Sequence, residues 1–301
     1  MFGDDTMSIV TARACVALLS AAVLSALLTG CSPSKYAVGS VMVPVLDNAR
    51  DAAFESEDIQ TFRDAGASNL FLLEGLIRTD PAQKELRLNA AQLYFAYAFA
   101  FQEDKDPAYA SLLYRKGLEH GYAALAMNDK MPDSPDVTFD QFEAALPGLR
   151  KKDVPAAVWT AVNWSQFIGL HLDSTAVLRD IPKVTSLLER VVELDPEYFE
   201  GLPYIMIGSL YSFKPPIMGG DPEASRENFE KAFAISGESF LLSRYFYARY
   251  YAYRVMDDGL FAETLGGVIA AKITPDDPYK LLNIIAKERS SILLGEIDEL
   301  F

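Results

Sequence analysis

Cysteine and histidine are nearly missing from this 301-residue chain, which has two of each: Cys15 and Cys31, His120 and His171. Everything after Cys31 must therefore fold without a disulfide and work without thiol chemistry. A stretch of roughly 270 residues can bury a substantial core without such a staple. With no thiol to share the work, a zinc site would depend mostly on carboxylates, an uncommon ligand set, and this argues against metal catalysis. Positive charge is also short: 27 Lys and Arg stand against 42 Asp and Glu, a net charge of −15 with no basic cluster. Such a surface repels nucleic-acid phosphates and anionic lipid headgroups. No GxSxG, HExxH, CxxC or GxGxxG pattern occurs, consistent with a protein that is not an enzyme and needs no cofactor. No segment alternates with period two between glycine-rich turns, so strand signals are weak. The apolar run from Ala14 to Leu28, about 15 residues, is short of the ~20 that span a bilayer.

That run does have the length of a signal-peptide core. It leads into Leu28-Thr29-Gly30-Cys31, which resembles the lipobox of bacterial lipoproteins. The resemblance implies cleavage between Gly30 and Cys31, with diacylated Cys31 becoming the mature N-terminus. Residues 1–30 are then a lipoprotein signal peptide, and 31–40 a lipidated end and short polar tether. A single domain occupies 41–301, since no later linker rich in Gly, Ser or Pro divides it. Loss of Asp4, Asp5 and Arg13 with the signal changes the net charge from −15 to about −14. Attachment falls to the lipid, because two or more acyl chains hold a protein durably. Ser32 follows the cysteine where many Gram-negative bacteria place an inner-membrane retention aspartate. The expected location is therefore the periplasm, on the inner leaflet of the outer membrane.

Positive structural signals are helical. Leu86, Ala90, Leu93, Tyr97 and Phe101 recur at spacings of three and four, while Leu88, Ala91, Phe95 and Ala98 line the opposite face, a pattern of a helix sandwiched between neighbours. Proline-containing breaks at Asp80-Pro81, Asp106-Pro107 and Asp195-Pro196 cut the chain into helix-sized pieces. About eleven helices in antiparallel pairs are expected. Two segments, 57–104 and 175–213, share the layout helix, Asp-Pro, helix. Small residues and aromatics three apart (Ala91/Tyr94, Gly208/Tyr211) and small residues seven apart (Ala110/Gly117, Ser225/Ala232) resemble degenerate tetratricopeptide-like hairpins, although the consensus tryptophan is missing. The expected fold is all-α, an α-solenoid or α-α superhelix.

Three places could carry function. In the loop Lys214 to Pro222, Pro215 and Pro216 stiffen the approach, and Gly219 and Gly220 permit positive φ or close backbone contact. Asp221 can cap the helix that starts at Pro222. The loop reads as a rigid inter-helix corner, or else as a channel wall or partner contact. In the segment Tyr245 to Arg254, a helical wheel puts Tyr247, Tyr250, Tyr251 and Arg254 on one face. Five phenols exceed what a dry core readily accommodates, so one face should be core and the other should line a wet cavity or an interface. Trp159 and Trp164 share one helix, point about 140° apart at 100° per residue, and read as core with satisfied polar tips before they read as a pocket.

Several stretches together resemble the TRAP transporter T-component family of periplasmic lipoproteins. They are Gly219-Gly220-Asp221 followed by Asn228-Phe229-Glu230-Lys231-Ala232, then Ala248-Arg249-Tyr250-Tyr251-Ala252, and the ending from Leu293-Leu294 to Leu300-Phe301. Leu72 to Leu76 and Tyr114 to Gly117 add to it. The resemblance implies an accessory that associates with the periplasmic solute-binding P component of a TRAP transporter and helps deliver an apolar or organic-acid ligand. A concave face of stacked hairpins suits a partner, a ligand or a second copy of the chain in a homo-oligomer. The alternative is a lipoprotein scaffold for envelope assembly with no small-molecule ligand.

Overall fold

Several helices begin where a short polar side chain accepts a free backbone N–H, as at Asp58, Asp106, Thr138, Asp221 and Asp257. A computed structural model describes residues 33–301. It opens with α1 (Pro33–Ala37), a π-helical turn over Val38–Met42 and α2 (Val43–Phe54). Next come α3 (Ile59–Thr79), α4 (Lys84–Phe101) and α5 (Pro107–Leu125). Asp58 caps α3 through the Thr61 N–H at 2.8 Å, and Asp106 caps α5 through the Tyr109 N–H at 3.0 Å with Pro107 in the first turn, as the Asp-Pro break predicts. A Thr138–Gln141 capping box starts α6 (Phe139–Ala145), which precedes α7 (Val154–Gly169). The remainder comprises α8 (Thr175–Leu178), α9 (Ile181–Leu194), α10 (Tyr198–Ser212) and α11 (Pro222–Ser236). Then follow α12 (Leu242–Phe246), a π-helix over Tyr247–Ala252, α13 (Asp258–Ala270), α14 (Lys280–Gly295) and α15 (Ile297–Leu300). No strand occurs among the described residues, so the fold is all-α.

Helices close in sequence pack on one another: α3 on α4, α4 on α5, α5 on α7, α7 on α9, α9 on α10, and α10 on α11. The two-faced pattern in α4 has its expected meaning. Leu86, Ala90, Ala91, Phe95 and Ala98 are buried, while Leu88, Leu93 and Tyr97 are half-buried against the core. The axis of the bundle is α7, in which every residue from Ala156 to Gln166 is buried. It approaches α5 closely because Gly117 and Gly121 leave room. A Cβ on Gly117 would stand 2.0 Å from the Asn163 Oδ1, and one on Gly121 would stand 2.9 Å from the Thr160 backbone nitrogen.

The last long helix returns to the first ones. α14 packs on α2 and α3, and its Arg289 donates to Asp104 at 2.6 Å just past α4. The face enclosed by the hairpins is thereby closed over and becomes an interior cavity. Residues 33–40, expected as a tether, are helical, with Val38 buried, because its valine side chain docks on the core. The signal peptide and Leu28, Thr29, Gly30 and Cys31 lie outside the described residues.

Candidate functional site

The enclosed space is an apolar cavity of about 290 Å³. α2 and α3 form one wall with Leu46, Phe62 and Leu73, and Trp159 of α7 and Phe246 of α12 stand opposite. Val45 and Leu72, at the rim, are 54% and 45% exposed, so the cavity communicates with the surface. Its polar groups gather on one side. The Asn89 amide donates to Asp47 at 3.1 Å, and the Arg50 guanidinium donates to Asp47 at 3.1 Å and Asn89 at 3.4 Å. Beside them the Gln92 Oε1 is buried and accepts no hydrogen bond among the described residues, an acceptor held open in an apolar setting.

Phe199 is the aromatic hub of this cavity. Its ring meets Trp159 edge-on at 5.3 Å, Tyr279 at 5.4 Å and Phe240 at 5.9 Å. It holds that place from an unfavourable backbone: Phe199, Glu200 and Gly201 have φ of 48°, 57° and 74°, a left-handed turn at the start of α10. Only Gly201 adopts that region without steric penalty. Strain of this kind persists where surrounding contacts over-determine it, and it concentrates at binding sites. No sequence pattern singled out Phe199. An aromatic directly before Glu-Gly at a helix start was the available signal.

The two tryptophans part company as their spacing predicts. Trp159 reaches the cavity wall and satisfies its N–H on the Tyr198 hydroxyl at 3.3 Å. Trp164 is buried against the edge of Phe142 at 6.1 Å, outside the lining of this cavity, and packs as core.

The aromatic segment divides differently from the wheel. Tyr247 to Ala252 is a π-helix, wider than the α-helix that a 100° wheel assumes. Residues four apart therefore pair: Tyr247 stacks on Tyr251 at 4.9 Å against Phe229 and Phe233 of α11, whereas Tyr250 and Arg254 turn to a second cavity. Burial pushes the Tyr250 phenol up to about 12, so it stays protonated and donates to the Gln166 Oε1 at 3.2 Å. Arg254 donates to the Ser212 and Phe213 carbonyls at 2.6 and 3.1 Å, tying the π-helix to the end of α10.

Behind this cavity lies a buried ion cluster. Glu103 accepts from Arg249 and from the Tyr114 hydroxyl, with Arg289 3.5 Å away. Burial alone would raise the Glu103 carboxyl, but the two guanidinium charges outweigh it and hold the group below its ordinary range.

The Pro215 to Asp221 loop joins neither cavity. Pro216–Met218 make one 3₁₀ turn, Gly219 has φ of 90°, and a Cβ on Gly220 would stand 1.8 Å from the Lys214 carbonyl oxygen. Asp221 caps α11 through the Ala224 N–H at 3.0 Å. The geometry is that of a rigid corner, and it presents Ile217 to solvent at 94% exposure. Among the described residues no cluster of three His, Cys, Asp or Glu side chains is placed to hold a metal, and no helix is long and apolar enough to cross a membrane.

These features define an α-helical protein that encloses an apolar cavity and rims it with a polar cluster. The family model for the TRAP transporter T-component matches residues 55–301, and the chain belongs to that family. Membership makes it an accessory component of a TRAP transport system. It is also similar to an uncharacterized protein of Treponema pallidum (strain Nichols), at 23% identity over 306 residues, covering 91% of this chain and 94% of that protein.

Proposed function

We propose that this chain is a lipid-anchored periplasmic accessory that docks on the solute-binding P component of a TRAP transporter and holds an apolar ligand. The observation that carries the ligand half is the cavity around Phe199, with aliphatic and aromatic walls and few polar groups. Such a lining removes apolar surface from water and offers little to a free organic anion. The unpartnered Gln92 Oε1 supports a ligand that brings one hydroxyl or amide donor to the polar side. Cys31 stands two residues before Pro33, where α1 begins. An acylated Cys31 would therefore hold α1 and α2 near the bilayer, with the Val45 and Leu72 rim on the side from which an apolar molecule arrives.

Two measurements test the proposal. The full chain is titrated with the P-type binding protein from the same transport system, and absence of a complex at tens of micromolar overturns the docking half. A long-chain alcohol is titrated while Trp emission is followed. Ala96 lines the cavity, and Ala96→Phe fills it with a ring. Binding that alters Trp159 emission in the wild type and vanishes in Ala96→Phe supports the ligand half. No change in either protein favours the scaffold that carries no small molecule.

A further inference from the structure

The second cavity, also about 290 Å³, shares no lining residue with the apolar one. It sits between the π-helix, the end of α10 and α14, and three arginines reach it. Two of them are neutralised by acids: Arg249 by Glu103, and Arg289 by Asp104. The third is not. Arg254 spends Nε and Nη2 on two backbone carbonyls, and no carboxylate lies within ion-pair distance of it among the described residues. Its Nη1 donates to no protein acceptor there, so a guanidinium with a full charge and a free N–H faces the cavity.

Tyr245 supplies a second unspent donor. Its hydroxyl oxygen accepts from Arg249 at 2.9 Å and from Arg289 at 3.0 Å, which occupies both lone pairs. The phenol proton has no acceptor among the described residues, although the side chain is 1% exposed and lines the cavity. A buried donor with nowhere to donate is the kind of group a ligand satisfies. Around these donors the wall is apolar, with Phe213, Phe261 and Ile292. Glu296 is the one lining acid without an ion pair, and it lies on the exposed side.

We propose that this cavity is a binding site for a small organic carboxylate with an aromatic or branched apolar body. The carboxylate accepts from Arg254 Nη1 and from the Tyr245 hydroxyl, and the body packs on Phe213, Phe261 and Ile292. The site is independent of the apolar cavity, so either can be present without the other.

Benzoate is the probe, added to the full chain and followed by calorimetry. Benzyl alcohol has nearly the same body without the charge, inorganic phosphate the charge without the body, and benzylamine the opposite charge. Saturable binding of benzoate alone is expected. Loss of one charge-assisted donor pair in Arg254→Gln should weaken it by about tenfold or more. Ile292→Glu, a half-exposed wall position that the fold tolerates, should abolish it by placing a carboxylate beside the ligand. Both variants should still bind the long-chain alcohol at the other cavity, which reports that they are folded. No saturable binding at millimolar benzoate overturns the proposal, as does unchanged affinity in Ile292→Glu. Equal binding of benzyl alcohol or phosphate, or preference for benzylamine through Glu296, overturns the ligand class.

Discussion

Trp159 and Phe199, from α7 and α10, meet edge to face with ring centroids 5.3 Å apart at the wall of the apolar cavity. That contact couples a spectroscopic reporter to the most strained residue of the site. Phe199→Ala removes the hub of four cross-helix aromatic contacts while keeping a Cβ in the left-handed region. Phe199 is half-buried, so its loss should cost less than the ~3–5 kcal/mol of a fully buried phenylalanine, and the retained strain prevents any recovery. Urea unfolding should show this loss, and the emission of the variant should shift to the red as water reaches the indole.

Glu103 is the counter-charge for two arginines in a buried setting, so its removal should be felt far more than that of a surface acid. Glu103→Gln leaves Arg249 and Arg289 without their shared carboxylate, and breaking a buried pair typically costs about 3–5 kcal/mol. Arg226 is the contrast. It pairs with Glu223 and Glu230 on the exposed face of α11, and exposed pairs contribute little because water and salt screen them. Chemical denaturation of Glu103→Gln and Arg226→Ala side by side should show a large loss of stability in the first and little change in the second.

A pH dependence follows from His120. Burial lowers its pKa and outweighs the opposing pull of Glu74. The ring therefore stays neutral, donating from Nε2 to Glu74 at 3.0 Å and leaving Nδ1 buried without a partner. The unfolded chain binds a proton near the ordinary histidine value while the folded chain does not, so stability is full above about pH 6.5 and declines as pH falls. Glu74 adds to the decline lower still. Burial pushes its carboxyl up, but the hydrogen bonds from His120 and Tyr94 prevail and lower it, so its contribution fades as pH falls below the ordinary carboxylate range. Thermal unfolding between neutral pH and pH 5 should show a drop in the wild type that His120→Gln largely removes.

What could be read from the sequence was whatever depends on neighbours in the chain. Asp106-Pro107 and Asp221-Pro222 start helices because the cap and the N1 proline are adjacent residues. Asp80-Pro81 is less decisive: the proline sits in a turn and α4 begins only at Lys84, since nothing local forces the helix to resume at once. The pairing in Tyr247 to Arg254 was not legible, because the helical wheel fixes 100° per residue and the π-helix departs from it. Arg289 and Glu103 are unmarked in the sequence for another reason. Each is an ordinary charged residue in its own stretch of chain, and only closure of the array brings α14 to the end of α4. Phe199 has only a weak local mark, the Glu200-Gly201 that follows it, and its aromatic partners come from distant parts of the chain.

Glycines give the last prediction, because three of them occupy different surroundings in one chain. Gly75 lies on α3 with nothing near the position a Cβ would take. Gly75→Ala should therefore stabilise by about 0.5–1 kcal/mol, by restricting the unfolded chain and favouring the helix. Gly219 also has open space, but its φ of 90° is outside what an L side chain accepts comfortably. Alanine there should cost about 1–2 kcal/mol as backbone strain. Gly220 is the most demanding. A Cβ would overlap the Lys214 carbonyl oxygen at 1.8 Å, and both partners are backbone, so no side-chain rotation relieves it. The loop would have to open, loosening the hydrogen bonds from the Gly220 N–H to the Pro215 carbonyl and from the Asp221 N–H to the Tyr211 carbonyl, each 3.1 Å. Gly220→Ala should thus destabilise more than Gly219→Ala, and hydrogen exchange should show increased opening at the start of α11, where Asp221 sets the cap. If Gly220→Ala matched Gly75→Ala in thermal unfolding, the corner would not be the rigid element that its geometry describes.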